Sequence, residues 1–270
     1  MKIAVVGPGA LGCLVAGYLK TKTKEDIWLL DKPGARAGIL KEKGLKVEGA
    51  GSSFTAHPDV TSSAAEIGQC DLIVICVKSY STEDVCKEIK PLVGEATHVL
   101  TLQNGIGNVQ TLNDHFGQGR IIAGVTNHGA TLIGPGHVRH AGKGETVIGK
   151  SGGRLLGAIK EVSAVLNKAG FETRISRDID SVIWSKLIIN VGINALSAVT
   201  RLKNGDLIEH EGSRSVLRNA VQEAVKVVKR KRIKLSYDDP IQKVESVCKA
   251  TGANVSIQPL YRDWETSGIS

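Results

Sequence analysis

The sequence has few aromatic residues and lacks the common metal, hydrolase and kinase motifs. Each of these absences argues against one class of function. Phe, Trp and Tyr make up only 4% of the chain and no RNA- or DNA-binding motif is recognisable, so we expect no nucleic-acid partner. The seven histidines show no H-x-x-x-H spacing, so we predict no metal site. Neither a G-x-S-x-G elbow nor a P-loop is present, which argues against nucleophilic hydrolysis and nucleoside triphosphate chemistry.

Cysteine pairs and long apolar runs are missing as well. The five cysteines lack any C-x-x-C spacing and are typical of small buried hydrophobes in a reduced, cytosolic protein. The uncharged run from Ile3 to Leu19 is interrupted by four glycines and followed directly by a lysine, so it suits neither a signal peptide nor a membrane span. We therefore predict a cytoplasmic protein with no membrane partner.

The composition that remains is that of a soluble globular protein. Its 270 residues are enough for two domains, with 41% hydrophobic and 23% charged residues. A formal charge of +8 suits anionic small molecules. The basic run from Lys226 to Lys234 is more typical of a solvated helix end than of a nucleic-acid patch.

Strand and helix patterns alternate through the first part of the chain. Buried strands are predicted for "KIAVVG", "DIWLLD", "CDLIVICVK" and "THVLTLQNG", with helices after the first three. The glycine- and β-rich stretch from Arg120 to Gly149 predicts strands and hairpins that extend the sheet, before another helix and the strand "FETRIS". This alternation predicts a parallel sheet with helices on its faces.

Only helical patterns follow Asp178. Three of them, beginning near Asp178, Ser213 and Asp238, have no convincing strand between them. We therefore predict an α/β dinucleotide-binding domain over residues 1–178 and an all-α substrate and catalytic domain over residues 179–270.

A G-x-G-x-x-G motif stands directly after the first strand and opens the first helix. It consists of Gly7, Pro8, Gly9, Ala10, Leu11 and Gly12. In this context the glycines allow a tight turn, approach of the backbone to a pyrophosphate and close packing of helix on strand. The N-terminus of the helix offers N–H donors to the phosphates. The sequence therefore predicts a dinucleotide site.

Charged residues at the end of the second strand leave the choice of dinucleotide open. Asp31 stands where an acidic residue holds the ribose 2′-hydroxyl of NAD, whereas Lys32 and Arg36 could meet the 2′-phosphate of NADP. All three could also be ordinary loop charges.

Two further polar residues follow the third and fourth strands. Lys78 could bind a phosphate or an acidic group, and Asn104 a ribose or a substrate carboxylate, because ligands bind beyond the carboxyl ends of such strands. A solvated loop at Lys78 and a tight turn at Asn104 are the alternatives.

Three polar residues recur every fourth position in the apolar segment "WSKLIINVGINAL". Lys186, Asn190 and Asn194 thus lie on one face of a helix. A lysine in a cleft is suited to give a proton to a carbonyl oxygen during reduction, and the asparagines could hydrogen-bond a carboxylate or hydroxyl. An exposed lysine on the outer face is the competing interpretation.

These motifs together resemble the ketopantoate reductase (2-dehydropantoate 2-reductase) family over about residues 1–256. The resemblance rests on "VVGPGALG", "CVKSYST", "LQNGIGN", "HVRHAGKGETVIG" and above all "WSKLIINVGINALSAVTRLKNGDL". It implies a Rossmann-type domain, then a helical domain like the C-terminal domain of 6-phosphogluconate dehydrogenase. It also implies NADPH-dependent reduction of ketopantoate to pantoate in pantothenate and coenzyme A biosynthesis.

The resemblance implies roles for five residues of this chain. Lys186 would be the general acid, Asn104, Asn190 and Asn194 would position the substrate and nicotinamide, and Asn254 would contact the substrate hydroxyl region. The sequence departs from the family at Asp31, at Arg232, where such helices end in glycine, and after Ser256, where we interpret the tail as altered and the helical domain as incomplete.

Two rival functions remain at this point. One is a reductase of another 2-oxoacid using NADP(H) or NAD(H), and the other is a non-catalytic nucleotide-binding protein, which the altered tail would favour. A homodimer is compatible with the sequence, which does not fix the oligomeric state.

Overall fold

The computed structural model describes residues 1–49, 51–153 and 156–254 of the chain. The chain folds into two compact units, Met1–Ile179 and Asp180–Ser270.

Twelve strands lie among the described residues of the first unit. In chain order they are β1 (Lys2–Val6), β2 (Asp26–Leu30), β3 (Leu45–Gly49), β4 (Ser52–Ala56), β5 (Asp59–Thr61), β6 (Cys70–Ile75), β7 (Val93–Thr101), β8 (Ile121–Thr126), β9 (Gly129–Gly134), β10 (His137–Gly142), β11 (Thr146–Gly149) and β12 (Thr173–Ile175).

Ten α-helices are described over the two units. In chain order they are α1 (Ala10–Lys22), α2 (Ala35–Lys43), α3 (Ala64–Ile67), α4 (Thr82–Glu88), α5 (Asn108–Phe116), α6 (Leu156–Ala169), α7 (Ile179–Thr200), α8 (Asp206–Glu209), α9 (Glu211–Arg230) and α10 (Pro240–Ala250).

Eight strands form the main sheet in the order β12-β11-β8-β7-β6-β1-β2-β5. All neighbours pair in parallel except β8 and β11. β1 therefore lies between β2 and β6, at the point where the strand order reverses. The carboxyl ends of β1, β2, β6 and β7 share one edge, where open sheets of this type bind ligands.

Both faces of β1 are buried, which explains its unbroken apolar sequence. Ile3 and Val5 pack into the core beneath α1 and α6, whereas Ala4 and Val6 pack into the core on the opposite face, with residues of α4 and α5. A central parallel strand covered by helices on both sides has no solvent-facing position, so its side chains do not alternate in polarity.

A second sheet of four strands corrects one expectation from the sequence. Of the strands in Arg120–Gly149, β8 and β11 extend the main sheet, but β9 and β10 do not. They join β3 and β4 in the order β4-β3-β10-β9. β10 pairs with β3 in parallel, with Val138 opposite Val47. The second sheet packs on α1, where a Cβ at Gly17 would lie only 2.8 Å from a methyl of Val47.

Two histidines of this region form a hydrogen-bonded chain with Tyr18. The Tyr18 hydroxyl lies 3.0 Å from His140 Nδ1, and His140 Nε2 lies 2.9 Å from His128 Nδ1. Burial, together with His140 and Lys143, lowers the pKa of His128 to about 4, and burial also lowers the pKa of His140. Both rings are therefore neutral at pH 7 and serve to join α1 to the second sheet.

The helical unit is built around α7, α9 and α10. Ile188 and Val244 are fully buried in its core, and a Cβ at Gly192 would lie 2.8 Å from Val244. By length and mean hydropathy (1.6), α7 could cross a membrane, and 28% of its apolar stretch is buried. At Gly192 this helix packs closely against Val244 and Val221.

The end of α9 explains why Arg232 is an unusual residue at this position. Ile233 N donates to Val228 O (3.2 Å) and Arg232 N donates to Lys229 O (3.0 Å), the pattern of a Schellman motif. Arg232 takes the left-handed position with φ of 57°. Glycine adopts this conformation without the steric penalty that a Cβ brings, so Arg232 costs stability.

We expect Arg232→Gly to raise the free energy of unfolding by roughly 0.5–1 kcal/mol, because relief of the strained φ exceeds the entropy that glycine loses on folding. Urea unfolding measures the change. Arg232→Gln is the matched control, because it removes the charge but keeps the strain, and an equal gain in that variant would contradict the explanation.

Candidate active site

The G-x-G-x-x-G loop forms the tight connection between β1 and α1. Gly7 has φ of 95° and its N–H donates to Leu30 O (3.0 Å). A Cβ at Gly7 would lie 2.5 Å from a methyl of Val77, and one at Gly12 would lie 2.0 Å from the Gly7 carbonyl oxygen. Glycine is required at both positions by the packing of the protein itself.

Gly9 is different, because its surroundings leave room. A Cβ there would meet no atom within 4 Å, and its φ of −76° is available to any residue. Cys13 N makes the first helical hydrogen bond, to Gly9 O (2.9 Å), so the N–H groups of residues 10–12 precede the helical ladder. No side chain caps α1 and its first turn holds no acidic residue. This geometry fits the pyrophosphate of a dinucleotide.

The thiols near this loop are not suited to nucleophilic chemistry. Burial raises the pKa of Cys13 to about 12 and that of Cys76 to about 12. Thiols with such pKa values stay protonated at neutral pH. Among the residues described, no group of three or more His, Cys, Asp or Glu side chains could hold a metal ion.

Asp31, at the end of β2, is held in an ion pair. Its side chain is 1% exposed and receives hydrogen bonds from Arg36 Nε (2.7 Å) and from the Lys32 backbone N–H (2.7 Å), with a second contact from the Arg36 guanidinium. Arg36 itself is 42% exposed, so water partly screens the pair. The pair nevertheless occupies both carboxylate oxygens, and it therefore competes with the predicted contact to a ribose.

Lys78 and Asn104 are exposed at the ends of two loops that are tied together. Ser79 Oγ donates to Asn104 O (3.1 Å), and Gln103 Nε2 donates to Val77 O (3.0 Å). These bonds hold the loop after β6 against the loop after β7. The connecting side chains were missed by sequence reasoning, since their partners lie about 25 residues away.

Lys186 and the two asparagines lie on α7 away from its core-facing side. Ile188 and Gly192, two residues further along from Lys186 and Asn190, face the helical core, whereas Lys186 and Asn190 are half-buried and Asn194 is exposed. Burial lowers the pKa of Lys186 to about 8. The cause of this shift is the loss of hydration around the amine.

The helix is fixed next to Lys186 by the segment that follows α9. Ser236 N donates to Ser185 Oγ (2.8 Å), and the Tyr237 hydroxyl donates to the Ser185 carbonyl (2.7 Å). Burial raises the pKa of Tyr237 to about 12, so the hydroxyl remains a donor at neutral pH. This anchor sets the position of the backbone that carries Lys186.

Asn254 ends the described part of the helical unit and is exposed. Its N–H donates to Thr251 O (2.8 Å), and its carbonyl accepts from Asn204 N (2.9 Å). Asn204 Nδ2 also donates to Thr251 Oγ1 (2.9 Å). Asn204, which lies near the end of the segment "WSKLIINVGINALSAVTRLKNGDL", therefore holds the chain that leads to Asn254 in place. Residues 255–270, including the tail predicted to be altered, lie outside the described residues.

Family models match both units. The model for ketopantoate reductase PanE/ApbA matches residues 3–153, and the model for its C-terminal domain matches residues 178–267. The chain belongs to the ketopantoate reductase PanE/ApbA family. Membership confirms the predicted fold class, a Rossmann-type α/β domain followed by a helical domain, and makes the chain an oxidoreductase of a family that uses NAD(P).

Individual relatives match over most of their length. A 2-dehydropantoate 2-reductase of Halobacterium salinarum is 35% identical over 257 residues, covering 95% of this chain and 84% of the relative. The crystal structure of 2-dehydropantoate 2-reductase from Geobacter metallireducens has a TM-score of 0.87 at 30% identity, covering 94% of this chain and 84% of that one. D-Mandelate dehydrogenase, solved with NADH and anilino(oxo)acetate, has a TM-score of 0.83 at 26% identity, covering 93% and 79%.

Gly9 and Gly12 of the glycine motif should respond differently to a methyl group. Gly9→Ala should fold normally but bind NADPH about tenfold more weakly or worse, because the methyl occupies the space left for phosphate. Gly12→Ala should instead lower the melting temperature, because its Cβ collides with the Gly7 carbonyl. Thermal melting and fluorescence titration with NADPH measure the two effects.

Gly38→Ala is the matched control for Gly9→Ala. Gly38 lies in α2 and also has open space around its Cβ position, so this variant should be at least as stable as the unsubstituted chain and should leave NADPH affinity unchanged. Unchanged NADPH affinity in Gly9→Ala would contradict the assignment of the loop.

Proposed function

We propose that this chain catalyses the NADPH-dependent reduction of ketopantoate to pantoate, in the pathway to pantothenate and coenzyme A. The observation that carries the proposal is the half-buried Lys186, whose pKa is lowered to about 8 on the polar face of α7. Membership of the family supports it, and so do the names of the relatives, which include 2-dehydropantoate 2-reductases.

Lys186 meets the chemical demand of a ketone reduction. When bound, the reduced nicotinamide supplies the hydride, and the ketone oxygen becomes negatively charged. A lysine with a pKa of about 8 is still mostly protonated at pH 7, but it gives up its proton more readily than one at 10.5. We propose that its Nζ donates the proton to this oxygen.

The remaining polar residues serve binding in this proposal. Side-chain amides that hydrogen-bond the substrate carboxylate or hydroxyl, or the nicotinamide, are those of Asn104, Asn190, Asn194 and Asn254. Groups that hold the dinucleotide are the backbone of Gly7, Pro8, Gly9, Ala10, Leu11 and Gly12, the side chains of Lys32 and Lys78, and the region around Asp31. Amides suit the first task because they bind a carboxylate without adding charge.

NADP(H) is the proposed cofactor rather than NAD(H). Lys32 and Arg36 provide two exposed cations at the end of β2, where the 2′-phosphate of NADP(H) would lie. We also propose a cytoplasmic location for the protein. Its assembly as a homodimer stays a prediction.

A second candidate is the reduction of a different 2-oxoacid with NADH. The similarity to D-mandelate dehydrogenase favours it, because that structure was solved with NADH and an oxoacid analogue. Reduction of any 2-oxoacid gives a 2-hydroxy acid, as reduction of ketopantoate gives pantoate. The same lysine and amides would therefore serve either substrate.

A substrate panel should separate these candidates. We expect the highest kcat/KM for ketopantoate with NADPH, measured by loss of NADPH absorbance, and lower values for pyruvate, 2-oxoisovalerate and benzoylformate. The same panel with NADH provides the comparison of cofactors. A higher kcat/KM for benzoylformate would transfer the proposal to the second candidate, and no turnover of any oxoacid would refute both.

The state of Lys186 should set the pH profile. Because the reduction needs the protonated amine, kcat should fall as pH rises through about 8, whereas oxidation of pantoate needs the neutral amine and should rise over the same range. Lys186→Ala should lower kcat by about 10²–10⁴-fold with NADPH affinity kept.

Lys226→Ala is the control for this variant, because it removes an exposed lysine of α9 that has no role in the proposed site. This control variant should keep the kcat of the unsubstituted chain, and its kcat should still fall as pH rises through about 8. A Lys186→Ala protein with the same rate and pH profile as the unsubstituted chain would exclude the lysine as the acid and would favour a non-catalytic role for α7.

A further inference from the structure

The position of Asp31 raises a question about its role. It ends β2 where an acidic residue would bind a ribose hydroxyl, yet its side chain is 1% exposed and both carboxylate oxygens accept hydrogen bonds from the protein. Its own N–H donates to Thr61 O (3.0 Å), so the backbone is also held. The carboxylate is therefore enclosed by donors of its own unit.

We propose that Asp31 is a positioning residue for Arg36, and that Arg36 held in this way distinguishes NADP(H) from NAD(H) by binding the 2′-phosphate. The inference rests on the proposed function only in taking a nicotinamide dinucleotide as the ligand. It gives Asp31 a role opposite to that of an acidic residue in an NAD-specific site, where the carboxylate itself contacts the ribose.

The form of the ion pair supports this role. Contacts through Nε and a terminal nitrogen hold the planar guanidinium in one orientation. The Arg36 side chain nevertheless stays 42% exposed, so a phosphate can approach it. Without Asp31, a side chain with this many rotatable bonds would lose its orientation, and each phosphate contact would require ordering it again.

The surroundings also suit a phosphate group. Lys32 is exposed beside the pair, and α2 begins directly after Gly34 with no side-chain cap and no acidic residue in its first turn. Each of these features attracts an anion, and together they surround the start of the helix that carries Arg36.

The acidic residue Glu88 prevents an explanation of phosphate selectivity from net charge alone. Glu88 near the end of α4 lies close enough to Lys32 and Asp31 for both to affect it: burial raises its pKa, Lys32 lowers it and Asp31 raises it. With two acidic and two basic side chains in this region, the net charge alone does not select a phosphate. The orientation of Arg36 must carry the selectivity.

Asp31→Asn separates three interpretations, because they predict different changes in affinity. If Asp31 positions Arg36, NADPH affinity falls and NADH affinity changes little. If Asp31 only repels the phosphate, NADPH affinity rises. If Asp31 binds the ribose hydroxyls, NADH affinity falls and the preference for NADPH increases.

The experiment is a fluorescence or calorimetric titration of the full chain with NADPH and with NADH, in the absence of any oxoacid. For Asp31→Asn we expect the ratio of the NADH to the NADPH dissociation constant to fall about tenfold, equivalent to the loss of one good contact. A ratio that rises or stays unchanged would overturn the inference. Competition by 2′-AMP against 5′-AMP should show the same fall.

Arg36→Lys keeps the positive charge and leaves Asp31 a partner, so it serves if Asp31→Asn fails to fold. It loses the fork-shaped pair, and the same fall in the ratio is expected. Lys41→Gln, on the exposed surface of α2, is the matched control that removes a charge without touching the pair and should leave the ratio unchanged.

The result is independent of turnover. A chain that prefers NADPH through Asp31 and Arg36 but does not reduce ketopantoate would leave this inference standing and refute the proposed substrate. If the chain reduces ketopantoate but both variants leave the ratio of dissociation constants unchanged, the proposed substrate stands and this inference is refuted.

Discussion

The close approach of α1 to β1 is the constraint on which the dinucleotide-binding unit depends. At Gly12 the helix lies so near the Gly7 carbonyl that a Cβ would be 2.0 Å from its oxygen. This contact directs the start of α1 at the carboxyl edge of the sheet and buries the rest of the helix between two sheets. The open space at Gly9, and the N–H groups after it, follow from the same geometry.

The helical unit meets a different constraint, which is the cost of removing a charged group from water. Close packing at Gly192 places one side of α7 in the core, and the polar residues must then lie on the remaining side. Lys186 loses part of its hydration there, which makes the amine a stronger acid. The hydrogen bonds to Ser185 keep the backbone next to Lys186 in place. The packing of α7 therefore determines both the position of Lys186 and the lowered pKa of its amine.

Local patterns allowed most of the fold to be predicted, because short-range chemistry determines those elements. The turn between β1 and α1 needs glycine partly for local reasons, which are the φ of 95° at Gly7 and the contact of Gly12 with the Gly7 carbonyl. The apolar runs of β1, β2 and β6 reflect burial on both faces. The second sheet was not predicted, since β9 and β10 could pair with either sheet, and the choice depends on β3 and β4, about 90 residues earlier. Arg232 was recognised as unusual, but only the φ angle explains why.

For the candidate site, the sequence indicated which residues to consider but not what they contact. Asp31 was a sound candidate for a ribose contact from its place after β2, but spacing does not reveal the rotamer that joins it to Arg36. The role of Asn204 in holding the segment of Asn254 was likewise not visible, because it joins residues 50 positions apart. Neither a side-chain rotamer nor a contact between residues far apart in the chain follows from local spacing.

The most direct test of the account is amide hydrogen exchange at residues 10–12, with and without saturating NADPH. If these N–H groups receive the pyrophosphate, their exchange should slow markedly when NADPH binds, while exchange in the basic segment Lys226–Lys234 should not change. Unchanged exchange at residues 10–12 under conditions where NADPH is bound would contradict the central claim.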